Sequence, residues 1–132
     1  MASYTEGDCQ LSHIVEIATE VRDPAAIGAA CHRLTLPPPV HGPTRLFAGE
    51  VTGWAVRLPD WKYPAVCNTE TGRVHYDTYG GRWGDESRLH EFLQAYAVEK
   101  TRIEVRTQGH TMTEESLPDG SIRMTVAVGG AA

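Results

Sequence analysis

Residues 85–108 read DESRLHEFLQAYAVEKTRIEVRTQ, and this stretch decides the fold. Its larger side chains recur at helical spacing and form one stripe: Leu89, Phe92, Leu93, Tyr96, Lys100 and Ile103. Such spacing predicts an amphipathic helix, in which Lys100 lays its alkyl stem along the apolar side. Gly84 and Asp85 supply a start signal, and Gly109 supplies a C-terminal cap. We therefore expect a long helix that lies across a sheet and buries its Leu, Phe and Tyr side chains there.

A second stripe on the same helix consists of Val98 and Val105. It is either a further contact with the core or an apolar outer face. In the second case the two valines and Arg102, which belongs to the charged half of the helix, form a docking surface for a partner protein or for a second copy of the chain.

The segment after the helix predicts a hairpin. Residues 110–116 and 121–128 flank the turn sequence Pro118-Asp119-Gly120. Ile122, Met124, Val126 and Val128 alternate strictly with polar or small residues, so the second strand has one apolar face.

The segment before the helix predicts one strand, one short helix and four further strands. Residues 12–22 alternate as a half-buried strand does, Asp23 and Pro24 start the short helix, and the prolines at 37–39 end it. The four strands are predicted as two hairpins, one over 45–51 and 54–58 around Thr52-Gly53, and one over 63–67 and 73–77 around the loop 68–72. The order predicts a single α+β domain over 12–132, a mostly antiparallel sheet with one short and one long helix packed on one face.

Composition excludes several classes of function. The formal net charge of −5 argues against nucleic acid as a partner, because phosphate binding depends on clustered Lys and Arg. Three cysteines without C-x-x-C spacing indicate a reducing compartment. No apolar run approaches the roughly 20 residues of a membrane span, and the first ten residues lack the order of a secretory signal. The sequence predicts a cytoplasmic protein with no cofactor and no membrane partner.

Three stretches of the chain carry a family resemblance: LSHIVEIATEVRD at 11–23, FLQAYAVEK at 92–100, and QGHTMTEESLPDGSIRMTV at 108–126. In order and spacing they resemble an uncharacterised family of short proteins of cyanobacteria, red-algal plastids and other bacteria. The family has no assigned reaction, and its members are found beside ATPases of the AAA type, so the resemblance implies an accessory role. Leu11 stands where the family has its initiator Met; we therefore expect residues 1–11 to be a disordered extension or an over-called start.

The most site-like segment is 79–85. It combines glycines, the Arg82 cation and the rings of Tyr79 and Trp83 just before a helix N-terminus, where backbone N–H groups favour an anion. The carboxylate of Asp85 competes for those donors. The alternative is structural: the glycines permit tight turns, while Tyr79 and Trp83 plug the base of the helix.

A second candidate is the pair His75 and Asp77, two residues apart on one face of a predicted strand. A histidine and a carboxylate so placed suit acid–base chemistry or half of a metal site, and an ordinary solvated strand face explains them equally well. Cys67 is a conceivable nucleophile across the hairpin from His75, although core packing suits a cysteine better.

Two functions of different class remain open from the sequence. The first is a non-catalytic protein-binding or adaptor module, for which the resemblance implies an AAA-type ATPase as partner. The second is a small enzyme, or a protein that binds an anion or small ligand, built around His75, Asp77 and the segment 79–83.

Overall fold

A computed structural model describes residues 15–17 and 20–128, which contain two helices and seven strands. In chain order these are β1 (Val15–Ile17), α1 (Pro24–Arg33), β2 (Val40–Arg45), β3 (Glu50–Val56), β4 (Ala65–Asn68), β5 (Arg73–Tyr76), α2 (Glu86–Thr107), β6 (Thr111–Ser116) and β7 (Ile122–Ala127). The predicted α+β class is confirmed. The predictions for residues 1–11, and for most of the first strand over 12–22, fall outside the described residues.

The strands form two antiparallel sheets. Five of them lie in the order β1-β5-β4-β3-β2, and β6 pairs only with β7 in a separate sheet among the described residues. The terminal hairpin predicted from Pro118-Asp119-Gly120 is therefore present, but it does not extend the main sheet.

Both helices pack on one face of the five-stranded sheet, as predicted. The buried core joins side chains of α1, α2 and the alternate residues of the central strands: Ile27, Cys31, Leu89, Phe92, Tyr96, Val56, Ala65, Cys67, Val74 and Tyr76. Cys67 of β4 lies opposite Trp54 of β3 and Val74 of β5, so these side chains point to the same face of the sheet. The strand residues of the core all belong to this face. The intervening residues, such as Ala55 and Val66, point to the helix-free face.

The start of α1 is fixed by Asp23. Its Oδ1 accepts the Ala25 N–H at 2.9 Å, and its Oδ2 accepts from the Lys100 ammonium at 3.1 Å. The phenolic oxygen of Tyr96 also accepts the backbone N–H groups of Arg22 and Asp23, each at 3.0 Å. Two residues of α2 therefore hold the beginning of α1 in place.

The long helix matches its prediction closely. Asp85 is the N-cap residue, α2 covers Glu86–Thr107, and Gly109 follows the helix with φ of 81°. A positive φ at this position is the usual way for a helix to end, and glycine adopts it without strain.

The turn of the first predicted hairpin is in the wrong place. Thr52 and Gly53 lie within β3, and the chain turns instead between β2 and β3, over residues 46–49. A Cβ atom at position 53 would lie 2.5 Å from the Cys67 carbonyl oxygen and 2.9 Å from Val66 Cγ1. Gly53 is thus required because β4 approaches closely. From the sequence alone, a glycine needed for close approach cannot be told from a glycine in a turn.

Candidate functional site

The predicted anion site at the start of α2 is filled by the chain itself. Asp85 Oδ1 accepts the Ser87 N–H at 2.9 Å, and hydrogen bonds from Ser87 lower the pKa of this carboxyl group. Just before it, Gly84 lies against Trp61: an added Cβ would come within 2.6 Å of the indole ring. Trp61 in turn donates its indole N–H to the Asp85 carbonyl at 3.0 Å. The helix start is therefore a packed junction.

The ring of Trp83 is surrounded by other side chains of the protein. Tyr79 stacks on it at 4.8 Å between centroids, Phe47 and Tyr63 contact it at 5.1 and 5.5 Å, and the Lys62 ammonium lies 4.8 Å from its centroid. Trp83 therefore packs against side chains of neighbouring loops, whereas the residue that packs at the start of α2 is Trp61. Trp83 also positions a cation, because its carbonyl oxygen accepts a hydrogen bond from the backbone N–H of Lys62 at 2.8 Å. Arg82 lies outside this cluster, over the other ring of the pair, 5.5 Å from the centroid of Tyr79.

His75 and Asp77 have different surroundings. His75 lies in β5 opposite Val66, on the helix-free face, and is partly buried. Asp77 follows the strand, is only 1% exposed, and accepts the Tyr79 N–H at 3.2 Å, which shapes the turn into residues 79–83. Within 15–17 and 20–128, no three His, Cys, Asp or Glu side chains are grouped so that they could hold a metal ion.

Both described cysteines are core residues. Cys31 and Cys67 are each 1% exposed or less. Burial raises the pKa of Cys31 to about 11, and burial together with the neighbouring Cys31 raises the pKa of Cys67 to about 12. Neither thiol ionises near neutral pH, so the geometry favours packing over nucleophilic attack.

The docking surface predicted from Val98, Arg102 and Val105 is not exposed. Val98 and Val105 are 2% and 7% exposed. Arg102 lies on the same side of α2 and pairs with Glu114 of β6, so this side faces the β6–β7 hairpin. The core-contact alternative is the one that the structure shows, because the terminal hairpin covers the face that the sequence left open.

A cleft that runs along β2, β3 and the loop before β4 was not predicted. It has a volume of about 510 Å³ and is lined by three segments: Pro37, Pro38, Val40, Pro43, Thr44 and Arg45; Ala55 and Arg57; Lys62, Tyr63 and Pro64. Phe47 and Tyr63 both contact Trp83, so the turn of the β2–β3 hairpin lies close to the loop that leads into β4. We call this feature the cationic cleft.

The charge of the cationic cleft is one-sided. Arg45, Arg57 and Lys62 line it, and none of the described residues that line it is acidic. Glu50 is the cross-strand neighbour of Arg45, yet in the described part of the chain no ion pair involves Arg45, Arg57 or Lys62. By contrast, Arg33, Lys100 and Arg102 each have carboxylate partners. Within the described part of the chain the cleft thus presents positive charge without a paired carboxylate, on a protein whose net charge is −5.

Little in the sequence points to this cleft. Its three cations lie 12 and 5 residues apart, so they form no basic cluster along the chain. The proline run at 37–39 predicts only the end of α1 and a stiff connection after it, which by itself does not indicate a groove.

Searches against protein-family models, curated proteins and solved structures found no match to this chain. No helix within the described residues is long and apolar enough to cross a membrane.

Proposed function

We propose that this protein is a non-catalytic binding module that recognises an acidic segment of another protein through the cationic cleft. The observation that carries the proposal is the group Arg45, Arg57 and Lys62, which share one cleft without a carboxylate partner in the described chain. Cations held together repel one another, and an anionic ligand relieves that repulsion.

The walls of the cleft favour tight contact with the ligand. Four of its lining residues are prolines, at positions 37, 38, 43 and 64, so its rim loses little conformational entropy on binding. Lys62 is held by its backbone bond to Trp83 and by the rings of Trp83 and Tyr63. A cation that is already positioned contributes more to affinity than a free surface lysine does.

The exposed apolar side chains around the cleft favour a protein over a small molecule. Val40 lines the cleft and is 67% exposed. Phe47 contacts the same Trp83 ring as Lys62 does and is 53% exposed. A small anion would fill the cleft and leave both in water, whereas an acidic segment with apolar residues would cover them. The family resemblance makes an AAA-type ATPase the first partner to test.

The proposal is tested with a defined probe, a fluorescein-labelled 12-residue peptide in which Glu and Asp alternate with Leu, followed by anisotropy. We expect the wild-type protein to bind it, and the double variant Arg45→Gln/Arg57→Gln to bind about tenfold more weakly. The matched control Arg88→Gln/Arg106→Gln removes two positive charges from α2 and should change the affinity by less than about twofold. A Lys-for-Glu/Asp version of the peptide should not bind.

Equal loss of affinity in both double variants would contradict the proposal, because the peptide would then sense only net charge. If citrate or inorganic phosphate bound the cleft as tightly as the peptide does, and displaced the peptide from it, binding of a small anion by the cleft would replace the proposed function.

A further inference from the structure

In the part of the chain that the structure describes, the β6–β7 sheet has an open edge. Among the described residues β7 pairs with β6 alone, and its other side has no strand neighbour. The side chains of its apolar row become more exposed along the strand: Met124 is 36%, Val126 40% and Val128 76% exposed. A two-stranded sheet of this kind is marginal in water and gains stability when a further strand extends it.

The chemistry of this edge permits pairing. Proteins commonly protect an edge strand with proline or with charges that point inward. The edge strand β2 of the main sheet carries Pro43, which has no N–H to donate. In contrast β7 has no proline, and its one charged residue, Arg123, lies on the opposite face and pairs with Glu115 of its own hairpin.

We infer that β7 is a homodimerisation strand, which pairs antiparallel with β7 of a second copy to make a continuous four-stranded sheet. With the twofold axis at Thr125, the geometry of antiparallel pairing places Met124 opposite Val126 and Ile122 opposite Val128 of the second copy. The whole apolar row then lies on one face of the joint sheet.

The charges agree with this register. Arg123 falls opposite Ala127 of the second copy, so no like charges meet across the twofold axis. A strand of the same chain is therefore a fitting occupant of this edge, since it repeats both the apolar spacing and the absence of opposing charge. The inference is independent of the cationic cleft, which belongs to the other sheet.

The test uses analytical ultracentrifugation of the full chain, with charge-swapped variants. The wild type should sediment as a dimer, and Met124→Lys/Val126→Lys and Met124→Glu/Val126→Glu should each sediment as monomers, because like charges then face each other in the proposed register. An equimolar mixture of the two variants should form the dimer again. Thr111→Lys/Thr113→Lys, on the outer face of the same sheet, should remain dimeric, and circular dichroism should show that all variants are folded.

A wild-type protein that is monomeric at every concentration overturns the inference, because β7 would then not pair with β7 of a second copy. It is also overturned if the Lys and Glu variants stay monomeric when mixed, or if the control pair dissociates to the same extent.

Discussion

At the scale of single residues, Gly53 sets how closely β3 approaches β4. A Cβ at this position would lie 2.5 Å from the Cys67 carbonyl oxygen, a backbone atom that cannot rotate away. We expect Gly53→Ala to lower the free energy of unfolding by about 1–3 kcal/mol, as overpacking of a core does. Urea denaturation measures this change. Gly49→Ala is the matched control, since a Cβ there meets nothing within 4 Å; equal destabilisation by both changes would contradict the explanation.

Asp23 is the residue through which acid should weaken the junction of the two helices. Burial by itself raises the pKa of Asp23, but hydrogen bonds from Lys100 and from backbone N–H groups outweigh it, and the pKa lies below its ordinary value of 3.8. The folded-state pKa is lower than the unfolded one, so the carboxylate stabilises the fold above pH 3.8 and this contribution is lost as the pH falls through the lower folded-state pKa.

Asp23→Asn keeps a good N-cap residue and removes the ion pair with Lys100. The stability difference between wild type and this variant should be largest above pH 3.8 and should shrink as the solution becomes more acidic. Unfolding curves recorded over this pH range check it. A difference that does not vary with pH would mean that the ion pair contributes nothing.

At the scale of elements, Glu114 joins the terminal hairpin to both helices. Its carboxylate pairs with Arg33 of α1 and Arg102 of α2, and Glu99 pairs with both arginines as well. The four side chains are 14–28% exposed, so the network is partly shielded from solvent. Val98 and Val105, on the same side of α2 as Arg102, are buried.

We expect Glu114→Gln to destabilise the protein by about 1–2 kcal/mol and to speed amide hydrogen exchange in β6, because two arginines then share one carboxylate. Glu115→Gln, which removes only the exposed pair with Arg123, should cost less than about 0.5 kcal/mol. Unchanged exchange in β6 after Glu114→Gln would show that packing alone holds the hairpin.

The elements that follow a strict period were predictable from sequence. The 3.6-residue stripe of α2 gave its ends within one residue, and the β4–β5 hairpin and the terminal hairpin followed from alternation and turn residues. The β2–β3 hairpin was not predictable, because Gly53 in a strand and a glycine in a turn look alike. The burial of Val98 and Val105 depends on where the terminal hairpin docks, which local sequence does not encode.

At the scale of the whole molecule, the core and the cationic cleft are distinct regions. One face of the five-stranded sheet packs against both helices and forms the core. The cationic cleft runs along β2, β3 and the loop before β4, where Val40 and Phe47 are exposed. The cleft arises where three segments distant in sequence meet, so its cations are scattered along the chain and only the fold brings them together. The segment 79–83, which the sequence singled out, supports the cleft indirectly through Trp83 and Lys62.

The most direct test of the cationic cleft is a ¹H–¹⁵N NMR titration of the wild-type protein with the Glu/Asp–Leu peptide. The proposal predicts that the amide signals that shift belong to residues 40–45 and 55–64, and that Arg45→Gln/Arg57→Gln needs about tenfold more peptide to reach the same shifts. Shifts confined to α2 or to the β6–β7 hairpin, or no shifts at all at saturating peptide, would contradict it.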